Sequence, residues 1–336
     1  MSCSDKQECC PEKQVLVNYV FNKHTIQQVE ADFANPAFIV NDGTWQVVAD
    51  GLNVRAVPFK YTIPQGNEHP KNLHYWNEDF VLSDCYETLY ETEISVTQVI
   101  PVEKIPVEFL PRIRNIQEDI RLCCGGINTL DVNTWIVSDI LMSNEKVYCF
   151  AERLPFGQDP NNRYAAYSNA VAVIERPAPN KDGFIKLGIG LKKSGASYYI
   201  NGRLVFQVPY YGLRQLDEYR LLDHQGKAEK VKIQTSAFGF GLFSLMDMQL
   251  PYNYARQLVV NDFATNQLAS GLVQLDLTSA YGETLPGKNG DDRPVIDPAV
   301  TWAIPFNASV DNTKYKLFGQ GAEMTLKYFR VSRIYK

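Results

Sequence analysis

Trp135-Ile-Val-Ser-Asp-Ile-Leu-Met-Ser143, the polar break Asn144-Glu-Lys146 and then Val147-Tyr-Cys-Phe-Ala-Glu-Arg153 form the stretch whose reading decides the fold. The first run is dominated by β-branched and apolar side chains, and the second has the same character. Two such runs around a short polar break predict two antiparallel strands joined by a hairpin. Side chains on a strand alternate between its faces, so Trp135, Val137, Asp139, Leu141 and Ser143 are expected on one side.

The strand pattern continues on both sides of this pair. Residues 43–59 read as a hairpin turned at Asp50-Gly51. Residues 61–77, rich in Pro, Gly, His and Asn, read as a long loop carrying His69 and His74. Residues 91–100 alternate and predict a strand with Ile94, Val96 and Gln98 on one face, after which Pro101, Pro106 and Pro111 break the pattern. Residues 115–121 read as a short helix, and 164–174 as another strand. Asn201-Gly202 between apolar runs is the strongest hairpin signal in the chain. Residues 210–230 read as polar, with a possible helical turn and His224. In residues 238–248, Gly239 and Gly241 are expected to allow close packing or curvature of a buried strand. Residues 257–261 and 271–277 read as strands, 281–298 as a loop and 322–335 as one terminal strand. A disordered tail over 1–12 and one domain over 13–336 complete the expected layout.

Composition narrows the function classes. There are 33 Lys and Arg against 38 Asp and Glu, a net charge of −5, which disfavours nucleic-acid and anionic-membrane partners that require excess cations. The first residues lack a basic start and an apolar run, so a cytoplasmic location is expected. No window reaches the roughly 18 apolar residues of a membrane helix. The seven cysteines are an odd set and predict reduced thiols, with Cys149 in a core strand. Neither Cys9-Cys10 nor Cys123-Cys124 has the spacing of a zinc site. His69 and His74 have no carboxylate pattern around them. No metal and no cofactor are expected.

From residue 91 onward the order of strands resembles the concanavalin A-like jelly rolls of the laminarinase and lichenase type. Tyr198-Tyr-Ile-Asn-Gly202 and Tyr328-Phe-Arg-Val331 carry most of that resemblance. It implies an all-β jelly-roll sandwich of two curved antiparallel sheets, with the cleft on the concave sheet. Such glycosidases carry Glu-x-Asp-x-Glu or a bulged variant on one strand face, because retention needs two carboxyls about 5 to 5.5 Å apart. Here that face offers Asp139 alone, which argues against glycosidase activity. Tyr148-Cys-Phe-Ala-Glu-Arg-Leu-Pro-Phe156, Tyr164-Ala-Ala-Tyr167 and Leu221-Leu-Asp-His224 are similar in style to the cyclase/decarboxylase of scytonemin biosynthesis. That likeness implies a cytosolic enzyme acting on a small aromatic substrate, an indolic β-keto acid.

The candidate site follows from residue chemistry. Asp139 in an apolar strand is expected to hold its proton, which suits a general acid or equally a hydrogen-bonded structural Asp. Glu152, in phase with Tyr148 and Phe150, is the second carboxyl candidate, and His224 is a proton carrier that titrates near neutrality. Arg153 is suited to holding a substrate carboxylate. However, adjacent strand residues face opposite sides, so Glu152 and Arg153 cannot both line one cleft. Trp135, Tyr148 and Tyr167 are candidates to line an aromatic cleft, and Asp247 to face it or cap a loop. The competing class is a carbohydrate-binding or structural sandwich without chemistry.

Overall fold

A computed structural model describes residues 12–36, 41–59, 70–104, 115–120, 122–154, 166–213, 219–225, 229–244 and 319–335. For 166, 168–170 and 219–225 the description is limited to the backbone. The strands are β1 (Lys13–Val20), β2 (Phe33–Ala34), β3 (Thr44–Val48), β4 (Gly51–Ala56), β5 (Pro70–Trp76), β6 (Phe80–Val81), β7 (Tyr86–Val99), β8 (Cys124–Asp131) and β9 (Ile136–Met142). They continue as β10 (Lys146–Arg153), β11 (Ala166–Glu175), β12 (Ile185–Leu191), β13 (Ala196–Ile200), β14 (Arg203–Val208), β15 (Tyr219–Gln225), β16 (Thr235–Phe243), β17 (Gly321–Leu326) and β18 (Tyr328–Tyr335).

These strands make two antiparallel sheets packed face to face, the expected all-β jelly-roll sandwich. The first sheet runs β14-β13-β12-β7-β17-β4-β3, with β18 joining β1 to β7. The second runs β15-β11-β10-β9-β8-β16-β5-β2, with β6 beside β16. Its spine in the first sheet is β7, which pairs with β12 along one edge. Along the other edge β7 pairs with β17 over Ile94 to Val99 and with β18 over Tyr86 to Glu91. Tyr90, Ile94 and Val96 enter the core, whereas Glu87, Glu91 and Glu93 alternate to the opposite face.

Several expectations are corrected by this arrangement. The terminal run is two strands, because at Lys327 the outer neighbour changes from β4 to β1. Residues 115–120 form turns. Part of the expected long loop is the buried strand β5, which places His74 in the core. Residues 219–225, with His224, form the edge strand β15. The helix α1 (Ile26–Asp32) is not among the expected elements, although its capping box is local: Gln28 N donates to Thr25 Oγ1 at 3.3 Å and Thr25 N to Gln28 Oε1 at 2.8 Å. Cys123, Cys124 and Cys149 are free and buried, but Cys85 is disulfide-bonded, contrary to the expectation of thiols throughout. The Asn201-Gly202 turn forms with both φ angles positive, at 50° and 77°, as a two-residue hairpin requires. The strands expected over 257–261 and 271–277, the loop over 281–298 and the tail over 1–11 lie outside the described residues. Among the described residues no helix is long and apolar enough to cross a membrane.

The inter-sheet layer is aromatic, with Phe238 stacked on Phe329 at 4.4 Å and Tyr90 beyond it. A few polar struts cross it. Tyr90 donates to Ser236 O at 3.2 Å, and Tyr198 donates to Phe150 O at 2.6 Å. Tyr198 is fully buried, so Tyr198→Phe leaves a buried carbonyl without its partner. It is expected to cost about 1–2 kcal/mol in urea unfolding; an unchanged midpoint would contradict the role of the strut.

His74 packs on Trp45 with ring centroids 3.7 Å apart, and burial pushes its pKa down to about 3. The unfolded chain binds this proton near the ordinary value of about 6.5. Between those values the unfolded state holds more protons, so stability falls as pH drops from about 6.5 toward 3, by up to about 1.4 kcal/mol per unit. His74→Gln should remove that part of the slope, seen as a wild-type-minus-variant stability difference that shrinks between pH 7 and pH 4. A difference constant over that range would contradict it.

Candidate active site

The strand expected to start at Trp135 starts at Ile136. Trp135 itself closes a turn with φ at 57°, its N–H donating to Asp131 O at 2.8 Å and its carbonyl accepting from Leu154 N at 2.8 Å. It is therefore part of the corner before β9 and not of the strand face. From there Ile136, Ile140 and Met142 enter the inter-sheet core, and Val137, Asp139 and Leu141 take the other side. On β10 the same alternation sends Val147, Cys149 and Ala151 to the core. Tyr148, Phe150 and Glu152 therefore share the face of Asp139, in agreement with the register, which sets Phe150 opposite Asp139 and Glu152 opposite Val137.

This register supplies what the β9 face lacks by itself. The β9 face carries Asp139 alone, as expected, and the second carboxyl candidate, Glu152 on the neighbouring strand, comes within interaction range of it. A carboxyl beside a second carboxyl is favoured in its protonated form, in which it can donate to its neighbour. Burial first, and then the negative Glu152, hold the Asp139 carboxyl well above its ordinary range. Asp139 is 5% exposed and Glu152 only half-buried, so the pair is sheltered at one end and meets solvent at the other.

The hydrogen-bond chain extends across the sheet. Asn128 of β8 lies opposite Asp139, and its amide Nδ2 donates to Asp139 Oδ1. The Tyr75 hydroxyl donates to Asn128 Oδ1, although β5 and β8 are separated by β16. The gap is closed at Gly239, which is opposite Asn128 on one side and Tyr75 on the other. A Cβ at 239 would stand 2.7 Å from two atoms of the Tyr75 ring, so only glycine leaves room for the ring to lie across the strand. Phe150, Asp139, Asn128, Gly239 and Tyr75 form one row across five strands. Tyr148, also on this face, anchors its hydroxyl to Glu118 O at 2.9 Å.

Other expected site residues lie elsewhere. Arg153 is opposite Ile136 on β9 and Tyr167 on β11, both core residues. Its Nε donates to Thr134 O at 3.2 Å, and the Tyr167 hydroxyl accepts from Gly212 N at 3.1 Å. Arg153 and Tyr167 thus sit on the inter-sheet face, the opposite side of the sheet from Asp139 and Glu152, which corrects their expected place in the cleft. The backbone of His224 is on β15, three strands from β9, a lateral separation of about 14 Å. Asp247 and His69 lie outside the described residues. Among the described residues no group of three His, Cys, Asp or Glu could hold a metal ion. Asn128 and Tyr75 were missed, Tyr75 because its strand reads as loop; the one local hint was Gly239.

The folded pair retains a proton that the unfolded chain releases above about pH 4. Stability should accordingly fall as pH rises through that value toward the raised pKa of Asp139. Asp139→Asn, which keeps the shape and discards the charge, is expected to raise the melting temperature at pH 7 relative to wild type and to lose this advantage near pH 3. Equal or lower stability of the variant at pH 7 would contradict a strained, proton-holding pair.

Comparison with known proteins places the family. A family model described as "Family of unknown function (DUF6081)" matches residues 23–334. An uncharacterized protein of Acanthamoeba polyphaga mimivirus is 36% identical over 390 residues, covering 98% of this chain and 89% of that protein. Among solved structures the chain is similar to SCLam, a non-specific endo-beta-1,3(4)-glucanase from family GH16, with 8% identity, 97% and 92% of the two chains covered and a TM-score of 0.46. It is also similar to a Bacillus licheniformis beta-glucanase, with 7% identity, 95% and 91% covered and a TM-score of 0.37. At such identities the likeness concerns the fold alone. By the extent of the family match and the viral relative, the chain belongs to the DUF6081 family.

Proposed function

We propose that the protein is a cofactor-independent enzyme of secondary metabolism that cyclises and decarboxylates, or dehydrates, an aromatic or indolic β-keto acid, as in scytonemin biosynthesis. The observation that carries this reading is the hydrogen-bonded pair Asp139–Glu152 on a sheet face that also bears Phe150 and Tyr148. A carboxyl kept protonated by burial is a proton donor at neutral pH. In the β-keto acid, the pair protonates the ketone oxygen while the electrons of the breaking C–C bond flow into that ketone and carbon dioxide departs. The resulting enol then takes a proton at carbon and releases one from oxygen. In the cyclisation the same donor protonates the ketone oxygen as an aromatic carbon attacks the carbonyl carbon; that ring carbon then gives up its proton to the carboxylate left behind, and the alcohol formed departs as water where the product is dehydrated. Glu152, at the solvent end of the pair, restores the proton. Aromatic side chains beside the pair suit a flat substrate.

Two carboxyls in mutual hydrogen bonding also disfavour the retaining glycosidase arrangement, which keeps them about 5 to 5.5 Å apart on either side of the scissile bond. The reading is tested with an indolic β-keto acid, following carbon dioxide release and product mass. Asp139→Asn and Glu152→Gln are each expected to lower kcat by about 10²–10⁴, with circular dichroism unchanged. Turnover unaffected in both variants would overturn the assignment. Absence of turnover in the wild type, together with saturable oligosaccharide binding, would favour the non-catalytic carbohydrate-binding alternative.

A further inference from the structure

We infer that Tyr75 is a positioning residue for the carboxyl pair: its hydroxyl, held across Gly239, fixes the Asn128 side chain with its amide nitrogen turned to Asp139. This rests on the reading of Asp139–Glu152 as a pair that shares a proton.

The argument starts from the symmetry of a side-chain amide. Its oxygen and nitrogen ends are nearly the same shape, so packing hardly distinguishes the two orientations and hydrogen-bond partners decide between them. Asn128 is 5% exposed and lies between two such partners. On one side Asp139 Oδ1 accepts from its nitrogen, and on the other the Tyr75 hydroxyl donates to its oxygen. Burial, followed by the neighbouring Asp139 and Glu152, holds the Tyr75 phenol well above its ordinary range, so it stays a donor. Without that hydroxyl Oδ1 has no donor in the row, and the amide is free to turn its oxygen toward Asp139. An amide nitrogen favours the ionised carboxyl, while an amide oxygen favours the protonated one.

Tyr75 reaches Asn128 only because β16 has no side chain at the crossing, where a Cβ would meet the ring at 2.7 Å. The glycine thus belongs to the same device as the phenol. Among the described residues, the titratable groups that act on or feel the Asp139 charge are Glu152 on β10, Tyr75 on β5, Cys124 on β8 and Tyr198 from the facing sheet. Tyr198 belongs to the inter-sheet core, and Cys124 shares the Asn128 face of β8 four residues further along the strand, so of these groups Tyr75 is the one that reaches the pair through Asn128.

The experiment is a pH titration of the Asp139 and Glu152 side-chain carboxyl carbons by NMR in the wild type, Tyr75→Phe and Gly239→Ala. Tyr75→Phe keeps the ring and is expected to fold. Its pair should lose the proton at a pH higher than the wild-type pair by about half a unit to one unit, the worth of one net hydrogen bond. Gly239→Ala, if folded, should move it the same way. A coupled wild-type pair whose titration is the same in Tyr75→Phe overturns the inference alone. Two wild-type carboxyls titrating independently in the ordinary range overturn the shared-proton reading and the inference with it.

Discussion

A carboxyl buried beside a second carboxyl favours the form that holds its proton, and the juxtaposition of Asp139 with Glu152 is the constraint that the polar row on the second sheet answers to. In open water the pair would separate and ionise. Here Asp139 is buried on its sheet face, with Asn128 opposite it on β8 and Phe150 opposite it on β10, and burial favours its uncharged form. The price in stability is borne by the rest of the sandwich: the aromatic layer between Phe238 and Phe329, and the Tyr198 strut that ties β10 to the opposite sheet directly at Phe150, the residue facing Asp139. Strain of this kind, concentrated at one sheltered polar cluster, is characteristic of sites kept for chemistry.

The row across the sheet shows how local sequence and long-range register divide the work. Glycine at 239 is a local choice that weakens the strand. Its consequence spans the two strands on either side of it, because it lets Tyr75 on β5 reach Asn128 on β8, and Asn128 in turn meets Asp139 directly opposite on β9. None of these contacts involves residues close in sequence. They exist because antiparallel pairing sets directly opposed side chains on the same face, and four successive pairings place Tyr75, Asn128, Asp139 and Phe150 in line.

What was legible in the sequence follows the same division. Alternation within β9 and β10 placed Asp139 and Glu152 correctly relative to their own strands, and the Asn201-Gly202 turn announced its hairpin by backbone chemistry alone. The polar break Asn144-Glu-Lys146 announced that β9 and β10 pair, but nothing local fixed the register that sets Glu152 diagonal to Asp139. Trp135 misled because its apolar side chain continues the strand pattern while its positive φ ends it. Arg153 and Tyr167 were assigned to the cleft from their chemistry, whereas parity sends them into the inter-sheet layer. Tyr75 was hidden because Pro, His and Asn around it suggest loop, and the burial that makes β5 a strand comes from β16 and β2 on either side.

The central claim is that Asp139 and Glu152 hold one proton between them at neutral pH. Infrared difference spectroscopy at pH 7, comparing the wild type with Asp139→Asn and Glu152→Gln after carbon-13 labelling of the side-chain carboxyls, reads this directly. A protonated-carboxyl stretch present in the wild type and altered or lost in both variants is the predicted result. A wild-type spectrum in which both side chains give only carboxylate bands would contradict the account.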